Sequence, residues 1–222
     1  MVALRYTLLG DGRSDDVLMP IIEWLFQDLG IVSPIQGEWA DLSNIQSKVL
    51  SERIGHALDR FPCDLLFVHR DAENQPRQMR LDEIQKAVNQ LQKTVDEYNG
   101  TPFDVVLNHI PVIPIRMTEA WLLISEDAIR AAAMNRNGSI PLNMPPIQRL
   151  EDLPDPKQKL HEILRIASEK KRRRLKEFNP RLSAREITRE IIDFSPLRKL
   201  SSFRALEDDL RRWLDRDGEK WL

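Results

Sequence analysis

The N-terminal half of the chain alternates apolar runs typical of strands with segments of helical periodicity. Residues 2–9 and the unbroken apolar run at residues 65–68 are predicted strands, and the second lacks polar positions, as expected for a strand buried on both faces. Further strands are predicted at residues 103–107 and 110–115. Apolar residues at helical spacing predict helices near residues 15–29, 43–61, 81–98 and 119–134. This alternation predicts an α/β fold with a mainly parallel sheet flanked by helices.

The C-terminal part has a different pattern. Residues 135–156 contain five prolines and few periodic apolar positions, which predicts a long connection. Beyond it every apolar stripe has helical spacing, and Ser183 and Glu186 form a capping-box pattern. We therefore expect an α/β core at residues 1–134, a Pro-rich connection at 135–156 and a helical subdomain at 157–222 that packs on the core.

Composition excludes several classes of protein. The 222 residues are 41% hydrophobic and 31% charged, which is typical of a globular chain with a sizeable core. The single cysteine, Cys63, excludes an internal disulfide or a cysteine-rich zinc site. No apolar run approaches the roughly 18–20 residues of a membrane span, and the N-terminus lacks the pattern of a signal peptide. We therefore expect a cytoplasmic protein without a membrane partner.

Charge is distributed unevenly along the chain. The net charge is −2, but residues 1–111 carry 10 Lys and Arg against 17 Asp and Glu, whereas residues 112–222 carry 23 against 18. The most basic segment, Lys170-Lys171-Arg172-Arg173-Arg174-Leu175-Lys176, has six cations in seven residues. It is either a solvated helix partly neutralised by Glu169 and Glu177, or an arm that contacts nucleic-acid phosphates without reading sequence.

Acidic residues follow three of the predicted strands. Asp11, Asp15 and Asp16 come after the first strand, Asp71 and Glu73 after residues 65–68, and Glu119 after residues 110–115. Parallel α/β sheets bind ligands at the carboxyl ends of their strands, so these carboxylates are expected to converge at one edge. A cluster of carboxylates requires a counter-ion, and Mg²⁺ with its preference for oxygen ligands meets that requirement. The structural alternative is that each Asp only caps a helix or shapes a turn.

Three arginines lie beside these acids. Arg13, Arg70 and Arg116 are suited to phosphate, since a guanidinium group forms bidentate contacts with it. The alternative is that they only pair with the neighbouring carboxylates.

Several short motifs resemble one family. Gly10-Asp11-Gly12-Arg13-Ser14-Asp15-Asp16 resembles the opening motif of Toprim domains, the catalytic module of topoisomerases, primases and some nucleases. His69-Arg70-Asp71 resembles the second Toprim motif, Asp-x-Asp after a hydrophobic strand. With residues 117–123, 155–157 and 201–203, the order of motifs is similar to the Toprim-like family catalogued as domain of unknown function 4276.

The resemblance implies a Toprim-like sheet and metal-dependent phosphodiester chemistry on nucleic acid. Similar proteins are nuclease components of anti-phage systems, often beside a partner ATPase. On this basis Asp11, Asp71 and Glu73 are the expected ligands of Mg²⁺ or Mn²⁺, and Asp11, His69 and Glu119 the expected catalytic residues, with Glu119 or His69 acting on the attacking water. Lys170, Lys171, Arg172, Arg173 and Arg174, together with Arg13, Arg70 and Arg116, are the expected phosphate contacts.

Two positions depart from the Toprim pattern. Asp11 stands where Toprim domains have glutamate, and His69 replaces the first aspartate of Asp-x-Asp. Glu73 compensates for the lost carboxylate, or His69 shifts the metal preference towards Mn²⁺, or catalysis has been lost. The sequence therefore leaves two functions open: a metal-dependent nuclease, and a non-catalytic module that binds nucleic acid or an ATPase.

Overall fold

The structure, a computed structural model, describes residues 2–99, 107–218 and 221–222, with the side chains of 94–99 left aside. Its centre is a parallel sheet of four strands in the order β2-β1-β3-β4. The strands are β1 (Leu4–Leu9), β2 (Ile35–Trp39), β3 (Leu65–His69) and β4 (His109–Val112). This confirms the predicted α/β class.

The strand β3 is central, as its uninterrupted apolar run predicts. It pairs in parallel with β1 and β4, and all five of its residues are buried. Because β1 and β3 run in the same direction, the segments that follow them emerge at one edge of the sheet. Asp11 and Asp71 therefore lie at the same edge.

Helices cover both faces of the sheet. Helix α1 (Met19–Asp28) packs on the face that presents Tyr6, Leu8 and Phe67. Helices α2 (Leu50–Arg60) and α3 (Arg77–Asn99) pack on the opposite face, with Leu9, Leu66 and Val68. Alternate residues of each strand thus enter two separate hydrophobic cores, as the two-residue period of a strand requires.

The strand order places a topological switch between β1 and β3. The chain leaves β1 towards β2 through α1, on one face, and leaves β3 towards β4 through α3, on the other. The two segments after these strands therefore diverge and open a crevice. Such a crevice is the usual ligand site of open parallel sheets.

The C-terminal part of the chain packs on the α1 face. Its helices are α4 (Glu126–Ala132), α5 (Pro156–Ala167), α6 (Arg173–Glu177), α7 (Pro180–Glu190) and α8 (Ser201–Asp217). Short 3₁₀ helices lie at Arg13–Leu18, Thr118–Leu122, Ile147–Asp152 and Ser195–Lys199. Apolar residues of the C-terminal helices join the same buried cluster as α1 and the sheet. None of the helices among the described residues is both long and apolar enough to cross a membrane.

Some elements differ from the sequence-based prediction. Strand β2 is not predicted, because its five residues include Gly37 and only two large apolar side chains, Ile35 and Trp39. The single helix predicted at 119–134 is two elements, since Ser125 caps α4 by accepting a hydrogen bond from the amide of Ala128. Of the strand predicted at 103–107, residues 103–106 lie outside the described residues, and Leu107 is not in a strand.

Candidate active site

The loop after β1 is organised by Asp15. This carboxylate is buried, and its Oδ2 accepts hydrogen bonds from the amides of Asp11 at 2.8 Å and Gly12 at 3.0 Å. Gly10 leaves the necessary space, because a Cβ there would lie 2.6 Å from Trp39 and 2.8 Å from Asp15 Oδ2. Asp15 is therefore a loop-forming carboxylate with two amide donors already in place.

His69, the last residue of β3, is the buried centre of the site. Its Nδ1 donates to the carbonyl of Val112 at 3.0 Å, which leaves Nε2 directed at the site. Nε2 lies 3.3 Å from Thr118 Oγ1, 3.6 Å from Asp71 Oδ1 and 3.7 Å from Asp15 Oδ2. The ring therefore joins the segments that follow β1, β3 and β4.

Asp71 accepts hydrogen bonds from Thr118, and its surroundings disfavour the ionised form of its carboxyl. Its Oδ1 accepts from the Thr118 amide at 2.9 Å and from the Thr118 hydroxyl at 3.1 Å. Burial, together with the nearby carboxylates of Glu119 and Asp15, raises the pKa of Asp71 to about 6 against the opposing effects of His69 and the Thr118 hydrogen bond. Oδ2 accepts no hydrogen bond from the described residues, and 29% of the side chain is exposed. The free oxygen is thus available to a ligand, and the group titrates near neutral pH.

A cavity of about 380 Å³, called here the site cavity, opens beside this cluster. One wall is formed by the loop after β1 and by Thr118 and Glu119, and the other by α5 and the first half of α7. Its cationic lining residues are Arg13, Lys157, Arg181 and Arg185, and His161 lines it as well. The cavity therefore exists only because the C-terminal helices pack against the sheet.

Three of these cations are already paired, among them Arg13, which lies 3.3 Å from Asp41. Lys157 Nζ lies 3.0 Å from Glu119 Oε1, and Arg185 binds Asp16. Lys157 owes its position to the start of α5, where Asp155 caps the helix by accepting from the Gln158 amide at 2.7 Å. Burial lowers the pKa of His161, so this ring is held towards its neutral form.

Arg181, by contrast, has no carboxylate partner within the part of the chain that the structure describes. It is exposed, and it lies in the first turn of α7 after the cap Asn179. An unpaired guanidinium beside a helix N-terminus is a favourable contact for an anion in the cavity.

The predicted metal ligands are not brought together. Asp11 binds Arg70 at 2.5 Å and Arg53 at 3.3 Å, and Glu73, exposed at φ 54°, lies 3.5 Å from Arg80. Asp71 shares its environment with His69 and Asp15 instead. Over the described residues, no group of three His, Cys, Asp or Glu side chains is arranged to hold a metal ion. The residues therefore do not fit the expected Mg²⁺ or Mn²⁺ centre.

The predicted phosphate contacts near the sheet have protein partners. Arg70 bridges Asp11 and Glu83, the latter at 2.8 Å, and Arg116 binds Asn74. Arg13 is mostly exposed and lies 3.3 Å from Asp41. Of the three, Arg13 alone lines the site cavity.

The basic run is not one helix. Lys170 lies over the ring of Phe178, Arg172 has a φ of 49°, and α6 begins only at Arg173. Arg173 pairs with Glu177 at 2.7 Å, but no carboxylate partner is present among the described residues for the exposed cations Lys171, Arg172, Arg174 and Lys176. The run ends close to Asn179 and Arg181, which line the site cavity.

Several members of the site carry no clear signal in the sequence. Thr118 is recognisable only as the start of a helical segment and as part of the motif at residues 117–123. Lys157 and Arg181 have no distinguishing chemical feature beyond their charge. Only the packing of α5 and α7 brings them to the sheet edge. The motif at residues 155–157 that resembles the Toprim-like family is the one pointer to Lys157.

Compared with protein-family models, curated proteins and solved structures, the chain matches none of them. The function is therefore inferred from the residues of the site themselves.

Proposed function

We propose that the protein is a phosphodiesterase that cleaves nucleic acid at the site cavity. The observation that carries the proposal is that Asp71, a carboxyl with a pKa of about 6, lies beside a cavity lined by four cationic side chains. A general base works best when its pKa lies near the working pH, and guanidinium groups suit phosphate.

In the proposed reaction, Asp71 takes a proton from a water molecule whose oxygen forms a bond to phosphorus. The bond from phosphorus to one sugar oxygen breaks, and that oxygen leaves and takes a proton from solvent water. Thr118 fixes one carboxylate oxygen through its amide and hydroxyl, which leaves Oδ2 for the water. Arg181 and Arg13 neutralise the charge that develops on the phosphate oxygens. His69 acts as a positioning residue, because it is buried and touches Thr118 and Asp71.

No step of this reaction passes through a metal ion, because the expected ligands do not converge. A Toprim-like fold, a role in anti-phage defence and a partner ATPase belong to the same proposal. The order of the motifs along the chain supports them. Two motif residues also lie at the site: Asp71 belongs to the carboxylate cluster, and Glu119 lines the cavity.

The proposal is tested with Asp71→Asn, which preserves shape but removes the titrating carboxyl. We expect cleavage of labelled single-stranded DNA or RNA to fall by about 10²–10⁴-fold, the usual contribution of general base catalysis. Asp208→Asn, at an exposed position on α8, is the matched control and is expected to retain full activity. Each assay is run with EDTA, Mg²⁺ and Mn²⁺. Full activity of folded Asp71→Asn, or a wild type that cleaves nothing under any of these conditions, would refute the proposal.

The second candidate function is a non-catalytic module that binds nucleic acid or an ATPase, and the exposed, unpaired cations of the basic run favour it. We expect that replacing three of them weakens the salt dependence of nucleic-acid binding. The slope of log K, the association constant, against log salt should decrease by up to about 0.9 for each duplex phosphate that the variant no longer neutralises. The variant replaces Lys171, Arg172 and Arg174. The control replaces the exposed Arg204, Arg212 and Arg216 of α8. Equal slopes for both variants would assign the run to a solvated surface.

A further inference from the structure

A second cavity, of about 650 Å³, lies beside the site cavity at the carboxyl ends of β1 and β2. Its walls come from the loop after β1, from the segment between β2 and α2, from Arg53 of α2 and from Arg70, which directly follows β3. A volume of this size is typical of pockets that hold a small ligand. Of its lining residues, the proposed reaction uses only Arg13.

Asp11 fixes two arginines on one wall of the second cavity. Its Oδ1 lies 2.5 Å from Arg70 Nη1 and 3.3 Å from Arg53 Nη1, and Arg53 Nη2 also donates to the Gly10 carbonyl at 2.6 Å. Both guanidinium groups are largely withdrawn from solvent, with 17% of Arg53 and 21% of Arg70 exposed. Asp11 thus positions cations here.

Positive charge dominates the lining of the second cavity. Among the lining residues, Arg13, Lys48, Arg53 and Arg70 exceed the carboxylates Asp11 and Asp41 by two formal charges, although Arg70 also pairs with Glu83 outside the lining. Lys48 is exposed and has no carboxylate partner among the described residues. Asp41 is engaged by the Ser43 amide at 3.0 Å. The cavity is therefore suited to an anionic ligand.

The remaining wall is apolar and includes an aromatic ring. Trp39, at the end of β2, is half-buried, and its ring lies against Gly10, where a Cβ would be 2.6 Å from it. Leu42 and Ile45 continue this wall. A ligand with a phosphate for the arginines and a planar base for Trp39 matches both walls, and a nucleotide has both groups.

Arg13 lines both cavities, so they are neighbours along one edge of the sheet. We propose that the second cavity binds one nucleotide unit of a single-stranded nucleic acid and that the adjoining phosphate of the same strand occupies the site cavity. The second part, that one strand runs through both cavities, rests on the proposed function. A single strand is required, because a base paired within a duplex is not free to stack on Trp39.

The test measures binding of labelled oligothymidylate by fluorescence anisotropy, with thymidine monophosphate as a competitor. Trp39→Ala is expected to weaken binding of the single strand by about 5- to 150-fold, the range for removal of one stacking aromatic side chain. Trp39→Phe keeps an aromatic ring and is expected to restore most of the affinity. Lys48→Ala is expected to weaken binding and reduce its salt dependence, whereas Lys86→Ala on the exposed face of α3 is the matched control.

The possible outcomes separate this inference from the proposed function. Unchanged affinity in folded Trp39→Ala and Lys48→Ala overturns the inference and leaves cleavage at the site cavity untouched. Weaker binding by both variants, with binding of thymidine monophosphate and no cleavage of any strand, supports the nucleotide site and refutes the proposed function. A wild type that binds neither ligand, or binds a duplex independently of Trp39, overturns the inference.

Discussion

At the residue scale, the environment of Asp71 works against the ionised carboxyl. The group is largely buried beside Asp15 and Glu119, and Thr118 supplies hydrogen bonds to only one of its oxygens. A structural carboxylate would be stabilised more completely, as Asp15 is by two amides. A carboxyl whose ionisation is unfavourable, and which lies at the carboxyl edge of a sheet, is expected to have a functional role.

Stability is expected to depend on pH through Asp71. Its folded pKa of about 6 exceeds the ordinary value of 3.8, so between these values the folded state binds the proton more strongly than the unfolded chain does. The free energy of unfolding therefore falls as the pH rises from about 4 to about 6, and stays lower above that. Asp71→Asn should remove this penalty and stabilise the protein at pH 7.5 by up to about 3 kcal/mol.

Denaturant unfolding of wild type and Asp71→Asn between pH 4 and 8 measures this difference. The two curves should approach each other near pH 4 and separate above pH 6. A variant that is less stable than wild type at pH 7.5 would instead give Asp71 a structural role.

The sequence predicts site residues only where local context defines them. Asp71 follows an apolar run that is recognisable as a central strand, so its place at the sheet edge could be inferred. The partners of Asp11 could not, because Arg53 lies 42 residues away and meets it only through the packing of α2. A pattern of carboxylates predicts a metal site. Whether those carboxylates are free to bind a metal ion depends on arginines that are distant in the sequence and adjacent only in the fold.

At the scale of elements, the loop after β1 depends on one glycine. A Cβ at Gly10 would lie within 3 Å of Trp39 and of the Asp15 carboxylate, whereas a Cβ at Gly12 would meet no atom closer than 4.0 Å. Gly12 also has an extended backbone that any residue adopts. The two glycines of the motif therefore have different roles.

Gly10→Ala is expected to destabilise the protein by about 1–3 kcal/mol, because Trp39 or Asp15 must move. It should also reduce nucleic-acid binding, since both neighbours line a cavity. Gly12→Ala is the matched control and should change the free energy of unfolding by less than about 0.5 kcal/mol. Equal effects of the two substitutions in thermal melts would contradict this account of the loop.

The strands that could be predicted are those whose local pattern of apolar residues identifies them. Strand β3 is uniformly apolar because helices cover both sides, whereas β2 is an edge strand whose half-buried positions include a glycine. The motif at Ser201 and Ser202 has a structural explanation: Glu151 accepts hydrogen bonds from both amides and both hydroxyls at the start of α8. Burial acts to raise the pKa of Glu151, but these bonds lower it overall.

At the scale of the whole molecule, one hydrophobic cluster joins the sheet to the C-terminal helices. Trp121 is fully buried between them, stacks edge-on against Phe203 at 5.5 Å, and donates to Ser202 Oγ at 3.1 Å. Arg77 of α3 also binds Asp209 of α8 at 3.3 Å. The predicted subdomain at 157–222 therefore shares its core with the sheet.

Unfolding is expected to occur in a single transition, because neither part retains a complete core without the other. Far-ultraviolet circular dichroism reports all helices, and tryptophan fluorescence reports the five tryptophans, all of which belong to the shared cluster or pack against it. The two signals should give the same midpoint in urea. Separate midpoints would show that the C-terminal helices form an independent unit.

The walls of the site cavity come from distant parts of the chain, from Arg13 to Arg185. A ribosome releases a chain from its N-terminus, so the segment with Asp71 emerges well before α7. Until α7 has docked, Asp71 lacks the cationic wall that would hold a phosphate against it. The cleavage proposed for this site would therefore begin only after α7 has left the ribosome and docked on the sheet.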